Sequence, residues 1–292
     1  MTADGVVSWR ELLAEVEFQL GDANEARWIC EHASGFDRDE FLALLNEYVT
    51  VTMATNVHGM VARRLAGEPL QYVMRRWAFR HLDVMVDTRV LIPRPETEQV
   101  VEVALDLARQ LQKRLSRPLT IADLGTGSGV IGLSMVSELS IGSAQVWLTD
   151  QSEDALNVAR ANLAGIGRAA THVRVARGNW CDALPNSLVG EVDLIVCNPP
   201  YIADGDSDVA PDVRKYEPNV ALYSGTDGLQ AIREIIAAAP LWLTTGGWIV
   251  CEIGHRQGDA VRDLLLRAGF TDVEIIDDLA GRPRIACGCN RI

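Results

Sequence analysis

A chain of 292 residues with 48% hydrophobic content can build a full core and hold two domains, and it falls outside the disordered and fibrous classes. Its 40 acidic residues against 27 basic ones leave a net charge of −13, which argues against a protein that tracks a nucleic-acid backbone, because neutralised phosphates supply most non-specific affinity. No apolar run approaches the roughly 20 residues that span a bilayer, and Met1-Thr2-Ala3-Asp4-Gly5 lacks the basic and apolar regions of a secretory leader, so a cytoplasmic protein is expected. The cysteines agree. Cys30, Cys181, Cys197 and Cys251 are scattered in apolar contexts, and Cys287-Gly288-Cys289 lacks the spacing of a zinc site, so reduced structural thiols and no metal are expected.

The first eighty or so residues read as helical. Ser8 and Glu11 have capping-box spacing ahead of the apolar series Leu12, Leu13, Val16 and Leu20. A second series, Ala26, Ile29, Cys30 and Ala33, ends at Ser34-Gly35. A third runs through Met53, Val57, Met60, Val61 and Leu65 and stops at Gly67 and Pro69. Between Val51 and Arg80 the basic residues Arg63, Arg64, Arg75, Arg76 and Arg80 are opposed by Glu68 alone. This stretch reads either as a solvated arginine face or as a docking surface for an acidic macromolecule. Phe79 to Val86 and Val90-Leu91-Ile92 look extended, as a hairpin, before Pro93 and Pro95 break the chain. The expected organisation is a helical domain over 1–75, a linker over 76–95 and a second domain over 96–292.

In the second domain the pattern alternates. Helices are expected over Glu98–Leu111, Ser128–Leu139, Glu153–Leu163, Leu229–Ala238 and Gln257–Ala268. Strands are expected over Leu119–Leu124, Gln145–Thr149, His172–Ala176, Val192–Val196 and Trp248–Ile253, with further extended stretches at Val273–Ile276 and Arg284–Cys287. Alternating apolar strands and amphipathic helices imply a parallel sheet with helices on both faces.

Ligands in such sheets bind beyond the carboxyl ends of the strands. Asp123-Leu124-Gly125-Thr126-Gly127-Ser128-Gly129 ends the first strand of the sheet and opens a helix, and glycines there let the backbone approach a ligand closely. Val130 stands where a dinucleotide fingerprint needs its third glycine, and Leu133 stands where a phosphate loop needs lysine. The turn instead resembles that of S-adenosylmethionine (AdoMet) methyltransferases. Trp147-Leu148-Thr149-Asp150 places a carboxylate at the end of the next strand, where it can accept both ribose hydroxyls. Gly178-Asn179-Trp180 follows the third strand. There Asn179 can accept from an adenine amine and Trp180 can stack on the ring.

Asn198-Pro199-Pro200-Tyr201 leaves the buried strand Val192-Asp193-Leu194-Ile195-Val196-Cys197. The Asn side-chain carbonyl and the carbonyls of a stiff Pro-Pro turn are acceptors held in place, and the tyrosine ring is a flat surface. Such a pocket suits a planar NH2 group conjugated to a π system, either an amide or the exocyclic amine of a base. No general base is evident. His255 is a candidate by position only.

Glycine turn, acid after the second strand and Asn-Pro-Pro-Tyr after the fourth resemble, in that order, the amino-methyltransferases, which include adenine-N6 DNA methyltransferases and protein glutamine-N5 methyltransferases. Gly67-Glu68-Pro69-Leu70-Gln71-Tyr72-Val73, Val90-Leu91-Ile92-Pro93-Arg94-Pro95-Glu96-Thr97-Glu98, Tyr216-Glu217-Pro218 and Gly225-Thr226-Asp227-Gly228-Leu229 narrow the resemblance to the HemK group of release factor glutamine methyltransferases. The resemblance covers almost the whole chain. It implies a Rossmann-like AdoMet-dependent methyltransferase domain and a small N-terminal helical domain that docks the substrate. The implied donor is AdoMet, and the implied substrate is the glutamine of the Gly-Gly-Gln motif in class 1 peptide chain release factors, methylated on N5, with no direct nucleic-acid or membrane partner.

Carried onto this chain, the cofactor residues would be Gly125, Thr126, Gly127, Ser128, Gly129, Asp150, Asn179, Trp180 and Asn198. The substrate residues would be Asn198, Pro199, Pro200 and Tyr201, with Asn198, Pro199 and Tyr201 catalytic. Asn179 departs from the aspartate of many members, and Arg80-His81 precede Leu82 where some have glycine. The alternatives are a DNA adenine methyltransferase, which needs a flipped base and a basic surface, an enzyme acting on a ribosomal-protein glutamine, and a silent AdoMet-binding partner.

Overall fold

The computed structural model describes residues 7–291, so Met1–Gly5 lies outside it. The chain divides into two compact units, one ending at Arg76 and the other beginning at Trp77.

The first unit is helical: α1 (Trp9–Leu20), α2 (Ala23–Ser34), α3 (Arg38–Ala43), α4 (Val51–Leu65) and α5 (Leu70–Met74). The Ser8/Glu11 capping box is formed, and Gly21 and Gly35 end α1 and α2 in the left-handed conformation that glycine adopts most cheaply. Leu12, Val16, Ile29, Val57 and Val61 are buried, and Trp9 meets Phe41 edge to face with ring centroids 5.4 Å apart. The short α3 and α5 are not anticipated from periodicity. The Asp37/Glu40 capping box of α3 is nevertheless a local signal.

The arginine stretch is not a block of five uncompensated cations. Arg63 donates to Glu68 at 2.8 and 2.5 Å and to the Tyr72 and Val73 carbonyls, and Arg64 donates to Glu25 at 2.7 and 3.0 Å. In the second unit Arg80 donates to Glu138 at 2.6 and 2.7 Å and to Glu102 at 2.7 Å.

A two-stranded hairpin, β1 (Arg76–Phe79) with β2 (Leu82–Met85), stands at the junction. It lies earlier than expected, and Val90–Ile92 is not a strand. The reason is a long-range contact: the Ile92 N–H donates to the Glu217 side chain at 3.1 Å instead of to a strand partner.

Then follow α6 (Pro95–Arg114), β3 (Leu119–Leu124), α7 (Val130–Glu138), β4 (Ala144–Asp150), α8 (Glu153–Gly165), β5 (Val173–Arg177), β6 (Val192–Cys197), α9 (Pro211–Tyr216), α10 (Gln230–Trp242), β7 (Leu243–Glu252), α11 (Gly258–Arg267), β8 (Phe270–Asp277) and β9 (Pro283–Asn290). The seven-stranded sheet has the order β5-β4-β3-β6-β7-β9-β8. Helices cover it, with α6 against β6 and β7, α7 and α8 against β4, α10 against β7 and α11 against β8 and β9.

β5, β4, β3, β6 and β7 pair in parallel, but β9 runs antiparallel to both its neighbours. The all-parallel expectation is corrected there. The residues 278–282 between β8 and β9 are too few for a crossover, which takes a dozen or more. β3 has β4 on one side and β6 on the other, so the strand order reverses at β3 and opens a crevice above its carboxyl end. All six cysteines are free and buried. Among the described residues no helix is long and apolar enough to cross a membrane.

Candidate active site

The glycine turn leaves β3 at that crevice. Gly125, Gly127 and Gly129 have φ of 69°, 56° and 89°. A Cβ on Gly125 would also lie 2.9 Å from Cζ3 of Trp180, so both conformation and space require glycine there.

Asp123 anchors the turn from below. It is fully buried, and one carboxylate oxygen accepts from the Thr126 hydroxyl at 2.5 Å and from the Gly132 N–H at 2.9 Å, while the other has no hydrogen-bond partner among the described residues. Burial pushes its pKa from 3.8 up to about 7. An acid whose folded pKa exceeds its unfolded value binds more protons when folded, so this group removes stability as the pH rises from about 4 to about 7. Asp123→Asn retains an acceptor for Thr126 and Gly132 without a charge to bury. Its urea midpoint should match wild type at acid pH and rise above it across that window. A difference that does not vary with pH would show that the carboxyl charge is not the cause.

Asp150 ends β4. Its side chain accepts from the Gly127 N–H at 3.0 Å and the Ser152 N–H at 2.9 Å, and burial raises its pKa against these bonds. It thereby ties the glycine turn to the neighbouring strand. After β5, Asn179 is exposed at the cavity. Trp180 has a left-handed φ of 45°, packs its ring on Gly125 and donates its indole N–H to Glu234 at 2.9 Å.

Asn198 follows the fully buried β6. Its Nδ2 lies 3.2 Å from the Thr97 hydroxyl, which donates to Glu252 Oε2 at 2.6 Å; the Tyr201 hydroxyl donates to Glu252 Oε1 at 3.2 Å. The loop is stapled from the other side. Gln257 Nε2 donates to the Tyr201 carbonyl at 3.0 Å and the Gly228 carbonyl at 3.1 Å. Gly228 has φ +72°, and a Cβ there would meet the Tyr201 carbonyl oxygen at 2.4 Å.

One cavity, open to solvent, is lined by Gly125 to Ser128, Asp150, Asn179, Trp180, Thr97, Asn198 and Pro200. Gly129, Pro199 and Tyr201 are not among its lining residues, and neither is His255, which is exposed. Next to the lining residues Pro93 and Pro218, the buried Glu217 accepts from Arg94 and from the Ile92 N–H, joining segments more than a hundred residues apart.

The sequence has relatives over nearly its whole length. The chain is 40% identical over 265 residues to the release factor glutamine methyltransferase of Xylella fastidiosa (strain 9a5c), covering 90% of this chain and 92% of that one. It is 37% identical over 287 residues to that of Gloeobacter violaceus, covering 97% and 95%. The chain belongs to the release factor glutamine methyltransferase family.

Residues 9–74 match the PrmC N-terminal domain, and residues 103–213 match the methyltransferase small domain, whose activity implies AdoMet as methyl donor. The hMettl16 catalytic domain, solved with an RNA hairpin, matches at 15% identity and a TM-score of 0.53 over 82% of this chain and 80% of that one, which speaks for the methyltransferase fold. Within this family member, sequence reasoning missed the positions of Thr97, Gly228, Glu252 and Gln257. Glu252 had a usable signal, a carboxylate ending the apolar run Ile249-Val250-Cys251. Thr97 and Gly228 lie in segments that carry the family resemblance, but neither was given a role.

Proposed function

We propose that this protein transfers the methyl group of AdoMet to the side-chain amide nitrogen, N5, of the glutamine in the Gly-Gly-Gln motif of class 1 peptide chain release factors. The observation that carries this reading is that Asn198 and the Gly125–Ser128 turn line the same cavity. The cavity fits the donor. It offers exposed backbone at the turn, the Asp150 carboxylate for ribose hydroxyls, and Asn179 and Trp180 for the adenine. Asp150→Ala should weaken AdoMet binding by roughly 1.5–3 kcal/mol, the scale of hydrogen bonds to a charged group. Unchanged affinity by calorimetry would remove the ribose assignment.

A carboxamide nitrogen is a poor nucleophile because its lone pair is delocalised into the carbonyl. The Asn198 side-chain oxygen, which lines the cavity, accepts one N–H of the substrate amide, and the carbonyl of Pro199, set between the lining residues Asn198 and Pro200, takes the other as the substrate enters, which orients the nitrogen and favours its pyramidalisation. When bound, AdoMet supplies an electrophilic methyl on a sulfonium leaving group, so alignment is the main remaining demand and no metal is required. The same two oxygens stabilise the positive charge that develops on nitrogen, the inverse of an oxyanion hole. The proton then leaves to water.

The helical unit, residues 7–76, docks the protein substrate, and the reaction is placed in the cytoplasm with no direct nucleic-acid partner. Mass spectrometry of a class 1 release factor after incubation with the protein and AdoMet tests the reading. Addition of one methyl on the Gly-Gly-Gln glutamine is expected. Methylation of adenine in DNA or of a ribosomal protein, with the release factor untouched, would overturn it.

A further inference from the structure

The buried acid behind the catalytic turn needs an explanation. Glu252 is 1% exposed at the end of β7, where an apolar residue would pack without the cost of desolvating a carboxylate. Both of its oxygens are engaged, one by Thr97 and the other by Tyr201, and both partners are hydroxyls.

We propose that Thr97 and Glu252 are positioning residues that set the direction of the Asn198 carboxamide, holding its oxygen toward the cavity; the proposal rests on the reading of Asn198 as an acceptor for the substrate amide. The logic is that of hydrogen counting. A threonine hydroxyl has one hydrogen, and an ionised carboxylate can only accept. At 2.6 Å the Thr97 hydrogen belongs to Glu252, so the Thr97 oxygen can only accept from its third neighbour. That neighbour is Asn198, 3.2 Å away, which must therefore turn its NH2 toward Thr97 and its oxygen the other way.

Shape alone does not distinguish the two ends of an asparagine amide, so this polarity has to be imposed by a partner. Were Glu252 neutral and donating, the Thr97 hydrogen would turn to Asn198. The amide would then present NH2 to a substrate that itself brings two N–H donors. Burial pushes the Glu252 pKa up, and the Thr97 hydroxyl, the buried Arg284 guanidinium and the Tyr201 hydroxyl oppose that push and favour the carboxylate. Tyr201 locks the second oxygen, so the carboxylate cannot rotate to release Thr97.

The test is single-turnover methylation of a class 1 release factor at saturating AdoMet, with AdoMet affinity measured separately by calorimetry. Thr97→Val keeps the shape and removes the hydroxyl, Thr97→Ser keeps the hydroxyl, and Glu252→Gln removes the charge that fixes the Thr97 hydrogen and replaces one of the two acceptor oxygens with a donor. Thr97→Val and Glu252→Gln should each slow the step by roughly 10- to 100-fold, the scale of outer-shell partners elsewhere. The KM for the release factor and the AdoMet affinity should stay within about threefold, the split expected for an interaction realised in the transition state. Thr97→Ser should restore most of the rate.

If Glu252→Gln does not fold, the valine and serine pair decides alone. Wild-type rates in Thr97→Val, equal losses in Thr97→Val and Thr97→Ser, or a loss confined to AdoMet binding would each overturn the proposal. Asn198→Ala, run alongside, separates the two levels. A slow Asn198→Ala beside fast Thr97 variants defeats the relay alone, whereas a fast Asn198→Ala defeats the underlying reading of the site.

Discussion

Asn198→Ala is expected to lower the single-turnover rate by roughly 10²–10³, the range seen when one preorganised group facing transition-state charge is removed. Release-factor binding should survive, since a macromolecular interface distributes its energy over many residues. The loss should therefore appear in kcat with little change in KM. Asn198→Asp is the sharper variant. It keeps the shape and an acceptor oxygen but adds a negative charge near the sulfonium site. That charge stabilises the cationic donor in the ground state as well as the developing ammonium, so no large gain in rate should follow. It also loses the Nδ2 donor to Thr97. Near-wild-type rates for Asn198→Ala would make the Asn-Pro-Pro-Tyr turn scaffolding.

Gly228→Ala should be strongly damaging although the residue does not line the cavity. The residue is left-handed, which costs a side chain roughly 1–2 kcal/mol. The new Cβ would press on the Tyr201 carbonyl, a backbone atom that cannot swing aside, and such overpacking typically adds about 1–3 kcal/mol. The combined effect of roughly 2–5 kcal/mol should be visible in the urea midpoint. Because the pressure falls on the loop that carries Asn198 three residues earlier, kcat should fall as well. A stability loss with full activity would mean that the loop yields without moving Asn198. No loss at all would mean that Gly228 is not a constraint.

Much of the fold and of the site was legible because it is written in short contiguous stretches. The Ser8/Glu11 box, the glycine turn after β3, Asp150 at the end of β4 and Asn-Pro-Pro-Tyr after β6 each have a geometry set by backbone a few residues long. A periodicity or a turn preference was enough to locate them, and the order of the strands then brought Gly125–Ser128, Asp150, Asn179, Trp180 and Asn198 to one cavity. The reversal of β9 was also accessible, in the short link that precedes it, but apolar composition alone carries no strand direction.

Other features could not be read this way, because they join residues far apart in the chain. Thr97 meets Asn198 across 101 positions and Glu252 across 155, and nothing local to any of the three marks the encounter. The arginines mislead for the same reason. Counted along the chain they look unopposed, yet Arg64 finds Glu25 39 residues earlier and Arg80 finds Glu138 58 residues later. Backbone preferences act over a turn or two, so they disclose which groups could do the chemistry. Side chains in a close-packed interior are oriented by whichever elements pack against them, and that packing sets Thr97 between Asn198 and Glu252.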